Sequence, residues 1–327
     1  MKRTRAEKSD APGRSSHTHK VQDSRLRAYF YAAKEVGMSE WPSGQLRFDN
    51  TIHVVKDPEG ADIFACPGPL SLFQDPNKLD LFPHMKDAEQ RHVFFDVADR
   101  TTMFNGKSCV FIRCNLTTEL LQSDPNSISW PWPVEDFSEC IEPPEGGFKY
   151  DVSFQGWVGS PTRYQSVNAC LQNPAITRDI QTYPDFTGYI YETPEGIRRR
   201  KEFRRSMKES RLALCPESGK GILPYRFYEA MSAGRVPVCV SSDHVFPFED
   251  EIPYDEFVLK IPRDKAHVTG QCIREFLDQH SDDDIIAKGA KARSWWVQRL
   301  NREDWPQTMA YAVRKKFKQL GLYSGTV

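Results

Sequence analysis

The 327-residue sequence has no run approaching the ~20 apolar residues that span a bilayer. Its N-terminus, "MKRTRAEKSDAPGRSSHTHK", has no apolar core, which excludes a secretory signal there. Residues 1–23 read as a basic disordered tail. An electrostatic touch of that tail on an anionic membrane surface, a peripheral association, is the alternative, but no lipidation motif accompanies the charges. Charge of one sign is also missing. Lys and Arg number 44 against 45 Asp and Glu, for a net charge of -1, so the basic excess of a nucleic-acid binder is absent. None of the eight cysteines forms a CxxC pair, and no Cys/His pair has zinc-like spacing. Several sit in apolar runs such as "ALCP" and "VPVCV", as reduced, buried thiols of a cytoplasmic protein would. There is no GxGxxG and no P-loop: "SGKGIL" lacks the four-residue gap and the Gly-Lys-Ser/Thr ending.

What is present is an alternation of short apolar strands with helices. "RLRAYFYAAKEV" reads as an amphipathic helix stopped at Gly37. "TIHVVKD", "ADIFACPG", "HVFFDVA" and "SCVFIRCN" read as strands. "DPNSISWPWPVEDF" carries three prolines and two tryptophans and reads as a surface crossing or linker. Strands resume with "YDVSFQGW", "TGYIYE", "LALCP", "VPVCVS" and "EFVLKIP". Helices are expected over "RYQSVNACLQ", "PEGIRRRKEFRRSMKESR", "PYRFYEAMSAG", "VTGQCIREFLDQH", "DDDIIAKGAKARSWWVQRL" and "WPQTMAYAVRKKFKQLG". This order predicts an α/β fold with two parallel sheets, that is, two Rossmann-like domains facing a cleft. The first spans 24–145 and the second 146–300. Residues 301–327 form a closing helix.

The stretch after "LALCP" holds the clearest chemistry. In such a sheet, ligands sit beyond the carboxyl ends of the strands. The loop Glu217-Ser218-Gly219-Lys220-Gly221 lets backbone amides approach an anion, and Pro224 suits the first turn of the next helix. Arg226 offers a planar cation to phosphate oxygens. Glu229 lies three residues on, on nearly the same face, where a carboxylate suits the hydroxyl pair of a ribose. The set reads as a nucleoside diphosphate site; an ordinary exposed Arg/Glu pair is the plainer alternative. Asp282-Asp283-Asp284 reads as a helix-capping acidic run and not as metal ligands.

From Cys215-Pro216 through Arg226, Glu229-Ala230, Gly234, Pro237-Val238 and Pro247-Phe248, the sequence resembles the exostosin family of glycosyltransferases. Tyr225 stands where the family has serine. "FQGWVGSPTR" is similar to the family's Phe-x-Gly segment, here Phe154 and Gly156, with its downstream arginine, Arg163. "ADIFACP" and "RHVFFDVADR" resemble segments of the family's N-terminal half. The resemblance is dense from about 151 to 262 and thin before 150.

The resemblance implies a GT-B-like architecture and transfer of a sugar, with inversion, from a nucleotide donor, usually UDP-linked, to a glycan hydroxyl. No metal or other cofactor is expected. Arg226, Arg163 and the loop Ser218, Gly219, Lys220 and Gly221 would meet the leaving diphosphate, and Glu229 the ribose. Counting from His92, the family's His-Asp pair falls on Ala98 and Asp99, so the histidine is missing. Asp99, then Asp96, are the candidates for the general base. Two alternatives remain: a GDP-fucose-dependent enzyme of related fold, or a degenerate, non-catalytic scaffold. Golgi members of the family carry a membrane anchor, so a cytosolic form or a clipped domain is expected here.

Overall fold

In the computed structural model, described for residues 25–36, 47–69, 76–97, 103–104, 108–184, 193–219 and 221–326, two fully parallel sheets follow one another along the chain. The first contains β1 (Leu26–Phe30), β2 (Ile52–Val55), β3 (Ile63–Pro69), β4 (His92–Asp96), β5 (Val110–Arg113) and β6 (Ser127–Ser129), in the order β2-β1-β3-β4-β5-β6. The second contains β7 (Tyr150–Trp157), β8 (Arg178–Tyr183), β9 (Ser210–Pro216), β10 (Val236–Val240) and β11 (Leu259–Ile261), in the order β11-β10-β9-β7-β8. Both are doubly wound: the chain moves outward from the first strand to the second, then crosses over to the third. The fold is α/β and GT-B-like, as expected.

Parallel sheets are covered on both faces, so their strands carry apolar side chains on both. Along β4, Val93 and Phe95 enter the core between the two sheets, while His92 and Phe94 enter an outer aromatic core with Phe64, Phe82 and Phe111. Along β9, Ala213 and Cys215 face that shared core, and Leu212 and Leu214 face the outer core of the second sheet. The period of two along each strand thus divides one apolar run between two cores.

Helices α1 (Met85–Ala88) and α2 (Thr118–Ser123) belong to the first half. In the second half, α3 (Pro161–Gln172) and α4 (Pro194–Glu209) start at Ser160 and Thr193, whose hydroxyls accept from the amides of Arg163 and Gly196. Helices α5 (Tyr225–Ser232) and α6 (Thr269–Asp278) follow. Helix α7 (Asp282–Trp295) starts with a capping box between Ser281 and Asp284, the role that the acidic run predicts. The last helix, α8 (Trp305–Gln319), buries Trp305, Met309, Val313 and Phe317 in the shared core beside Val93 and Phe95. Its Arg314 donates to the Thr51 carbonyl, so the C-terminal helix returns to the first sheet.

Two local expectations are corrected. The stretch 25–36 is not one helix: Leu26–Phe30 is a strand paired with β2 and β3, followed by a short 3-10 turn over Ala33–Val36. Leu26 and Ala28 point into the core at period two, and the pairing on both sides overrides helix propensity. The Pro/Trp segment is no surface crossing. It contains β6, and Trp130 and Trp132 are buried in the shared core. Strand β8 was hidden because "RDIQTY" is polar, as an edge strand can be. The expected strand "TGYIYE" falls outside the described residues.

His92, fully buried, lends the fold a pH dependence. Its Nδ1 donates to the Ala88 carbonyl and its Nε2 meets the Tyr31 hydroxyl at 2.8 Å. Burial drives its pKa from 6.5 down to about 4, against the opposing backbone hydrogen bond to Ala88. A folded-state pKa below the unfolded value means stability present above pH 6.5 and lost as the pH falls toward 4. A shift of that size corresponds to about 3 kcal/mol. Urea melts at pH 7 and pH 4.5 are expected to show His92→Gln reducing the acid-induced loss; an unchanged loss would remove His92 as its source.

Candidate donor site at the carboxyl edge of the second sheet

The second sheet's switch point lies between β7 and β9, and two loops leave the sheet there. After β7, Ser160 caps α3. Its hydroxyl accepts from the Arg163 amide at 3.2 Å and donates to the Glu217 carbonyl at 3.0 Å. The Arg163 side chain is buried. Its Nε donates to the Pro216 carbonyl and its Nη1 to the Trp157 carbonyl, each at 3.4 Å. Arg163 therefore ties together the ends of β7 and β9, a positioning role more than an exposed charge.

After β9 comes the glycine-bearing loop, organised by a residue that the sequence did not single out. Glu217 is buried at 2% exposure, where a carboxylate facing an anion-binding loop would be unfavourable without partners. It has several. Thr162 Oγ donates at 3.1 Å, the Gly221 amide at 3.1 Å, Ser241 Oγ at 2.8 Å and Arg263 Nη2 at 3.0 Å; Arg263 Nε also donates. Hydrogen bonding to Glu217 in turn raises the Arg263 pKa. Four separate stretches of chain thus meet at one carboxylate. Its only sequence signal is the anomaly of an acid at the mouth of an anion-binding loop. The Ser218 amide closes the loop by donating a hydrogen bond to the Ile222 carbonyl at 3.0 Å. Gly219 lies against Ile222, where a Cβ would come within 3.3 Å of Ile222 Cδ1. Gly221 has φ +73°, and a Cβ there would lie 2.5 Å from Thr117 Cγ2. Lys220 falls outside the described residues.

Arg226 and Glu229 both lie on α5. Arg226 lies over the Phe154 ring, 4.4 Å from guanidinium carbon to centroid, and its Nη2 donates to the Gln155 carbonyl. Gly156 makes room: a Cβ there would stand 2.8 Å from that nitrogen. Glu229 is buried and accepts from Arg200 Nη1, on α4, at 2.6 Å. Arg200 also donates to Glu135 at 3.0 Å, and Arg204 donates to the same Glu135 at 2.6 Å. These partners lie 29 and 65 residues apart in sequence, so no local pattern reveals them. Arg163 and Arg226 are thus anchored on backbone carbonyls of β9 and β7, and Glu229 follows one turn further along α5.

The two halves meet at this edge. Thr117 and His244 form an antiparallel bridge, flanked by Thr118 N to Asp243 O at 2.8 Å and Val245 N to Leu116 O at 2.9 Å. Trp132 Nε1 donates to the Leu223 carbonyl at 3.1 Å. Beside the seam lies a cavity of about 470 Å³, whose lining includes Arg47, Val97, Trp132, Tyr225, Arg302 and Trp305. Tyr225 immediately precedes Arg226. Val97 follows β4.

On the first-half side, Asp99 falls outside the described residues. Asp96 is buried, and its Oδ2 accepts from Arg113 Nη1 at 3.1 Å. Arg113 Nη2 donates to Asp124 at 2.6 Å. A carboxylate committed to a buried guanidinium is a poor proton acceptor, so the structure gives Asp96 a structural occupation. Among the described residues, no group of three His, Cys, Asp or Glu side chains is arranged to hold a metal ion, and no helix is long and apolar enough to cross a membrane.

Residues 131–276 match the Exostosin GT47 domain. That stretch, a little under half of the chain, is therefore similar to the glycosyltransferase domain of the exostosin family. A probable glycosyltransferase of Arabidopsis thaliana is 33% identical over 73 residues, which is 22% of this chain and 14% of that relative. The match thus spans a small part of the relative's length. Among solved structures, a glycosyltransferase from Rickettsia africae aligns over 92% of this chain and 99% of its own, at 10% identity and a TM-score of 0.46. A sucrose-phosphate synthase from Thermosynechococcus elongatus aligns over 91% and 99%, at 10% identity and a TM-score of 0.44.

Proposed function

We propose that the chain transfers a glycosyl group from a nucleotide sugar, with UDP as the nucleotide, to a hydroxyl of a glycan acceptor with inversion. The observation that carries this reading is the placement of Arg226 and Glu229, within the matched domain, at the switch point of the second sheet. In the reaction, the acceptor oxygen forms a bond to the anomeric carbon from one face. The bond from that carbon to the diphosphate oxygen breaks on the other, and the diphosphate leaves with the electron pair. Arg226 and the loop amides at 218–221 meet the charge that develops on it. Glu229 receives the ribose hydroxyls, with its carboxylate held in place by Arg200. Arg163 and Glu217 fix the loop on which this geometry depends. The acceptor proton goes to a base from the first half, for which Asp99, two residues beyond the cavity-lining Val97, is the candidate.

Calorimetric titration with UDP and with GDP, each with and without EDTA, tests the reading. UDP is expected to bind, and to bind equally with the chelator. A preference for GDP would replace the nucleotide assignment, and no binding of either would favour a non-catalytic scaffold. Arg226→Ala is expected to weaken UDP binding by ~2–4 kcal/mol, the range for a lost charged contact. Undiminished binding by a folded variant would remove Arg226 from the site.

A further inference from the structure

The glycine-bearing loop is held from both halves of the chain, and one side chain makes the connection. Gly221, which ends the loop, is fixed on both sides. Its amide donates to Glu217 Oε2 at 3.1 Å, and its carbonyl accepts from His244 Nδ1 at 3.1 Å. A carbonyl can only accept, so Nδ1 carries the proton of that bond. Phe246 packs edge-on to the imidazole, with centroids 5.2 Å apart and planes at 84°, and so orients the ring. Among the described residues, the other ring nitrogen, Nε2, is buried and has no partner. The ring therefore acts on its surroundings through Nδ1 and the Gly221 carbonyl.

The backbone of His244 belongs to the other side of the connection. It lies in the short segment 243–245, which pairs across the seam with 116–118 of the first half. Ser129, at the end of β6, adds a hydroxyl bond to the Val245 carbonyl at 2.6 Å. Gly221 also rests directly on the first half, because the Thr117 methyl occupies the space where a Cβ would stand. Within the second half, Asp243 pairs with Arg263, and Arg263 with Glu217. The contacts close a ring through Glu217, Gly221, His244, Asp243 and Arg263. Lifting segment 243–245 off the first half would pull on the Gly221 carbonyl and, through Arg263, on the carboxylate that organises the loop.

We propose that His244 is a positioning residue for this loop: its bond to the Gly221 carbonyl ties the loop's conformation to the seating of segment 243–245 on the first half. The affinity of the loop for its ligand then depends on first-half residues, such as Ser129, that bond to segment 243–245 and not to the loop. That the ligand is a nucleoside diphosphate rests on the reading above.

The test uses the full chain and two readouts, amide hydrogen exchange without ligand and calorimetric titration with UDP. Ser129→Ala weakens the seam without touching the loop. It is expected to speed exchange of the Val245 amide, at the seam, and of the Gly221 amide, in the loop, each at least threefold. With His244→Leu also present, Ser129→Ala should still speed Val245 and no longer alter Gly221. In the titrations, His244→Leu is expected to weaken UDP binding at least tenfold. His244→Asn, whose amide nitrogen can stand near the position of Nδ1, should bind within threefold of the parent; His244→Gln, whose amide falls nearer Nε2, should bind like leucine. Adding Ser129→Ala to His244→Leu should cost no further affinity, because the connection is already cut. A histidine that only supported the fold would give additive losses and no difference between asparagine and glutamine. Gly221 exchange indifferent to Ser129→Ala, additive losses, or equal UDP binding by the asparagine and glutamine variants overturns the proposal. If His244→Leu does not fold, the Ser129→Ala exchange and the asparagine–glutamine comparison decide it. The two readings fail separately: coupled exchange without UDP binding defeats only the donor site, and UDP binding without coupling defeats only the role of His244.

Discussion

Arg113→Ala is expected to cost about 3–5 kcal/mol of stability, the scale for removing one partner from a buried ion pair. Arg113 has no solvent exposure. Asp96 and Asp124 accept from its two terminal nitrogens at 3.1 and 2.6 Å, and Ser127 Oγ accepts from its Nε at 3.3 Å. Its guanidinium also lies 4.6 Å from the Phe111 ring centroid and 5.6 Å from that of Phe104. Burial lowers the arginine's pKa and the two carboxylates oppose that, so each charge is tolerable only because of the others. Alanine would leave two aspartates facing each other in the outer core of the first sheet. A domain has ~5–15 kcal/mol to lose, so the substitution takes a large share of it. Arg113→Lys keeps the charge but offers one ammonium where a planar fork spans two acids, and should recover only part of the loss. Denaturant melts followed by circular dichroism measure both variants. A cost for alanine below about 1 kcal/mol would show that the triad is not the clamp described here.

Glu217→Ala is expected to have a similar effect on the second sheet, about 3–4 kcal/mol, and to abolish nucleotide binding as well. Arg263 is partly exposed and can turn to water or to Asp243, with which it pairs at 2.7 Å. The buried partners cannot. The Gly221 amide, Thr162 and Ser241 would lose their acceptor together. Glu217→Gln discriminates between shape and charge. Its amide fills the same space but places an N–H₂ group opposite donors, whichever way it is turned, because both carboxylate oxygens accept. Glutamine is therefore expected to be nearly as damaging as alanine. If Glu217→Gln melted like the parent and bound UDP as well, the loop would not depend on this carboxylate.

Much of the architecture can be read from the chain in order. The all-apolar "VPVCV" could only be a strand covered on both faces, and it is β10 at full burial. Ser160-Pro161 and Thr193-Pro194 announce helix starts, and Gly234, with φ +66°, marks the end of α5. These are short-range rules: dihedral preference, cap chemistry and the period of apolar residues act within a few positions. Where propensity and tertiary pairing disagreed, as at Leu26–Phe30, the pairing won, because strands on both sides satisfy a backbone that a lone helix would have satisfied by itself.

The candidate site divides in the same way. Arg226 and Glu229 are visible from the sequence because one helical turn relates them, as Ser218, Gly219 and Gly221 are because a loop sits between strand and helix. That Arg200 holds Glu229, that Glu217 gathers Thr162, Gly221, Ser241 and Arg263, and that Asp96 serves Arg113 was settled only when the chain folded back on itself. The parallel α/β class and the position of the loop after β9 are legible without coordinates, since both follow from local periodicity. The tertiary fold settles which charges neutralise one another, as Arg113 does Asp96 and Asp124. Ion pairs and cavities join residues that are distant in sequence, and electrostatic partnership depends on separation in space.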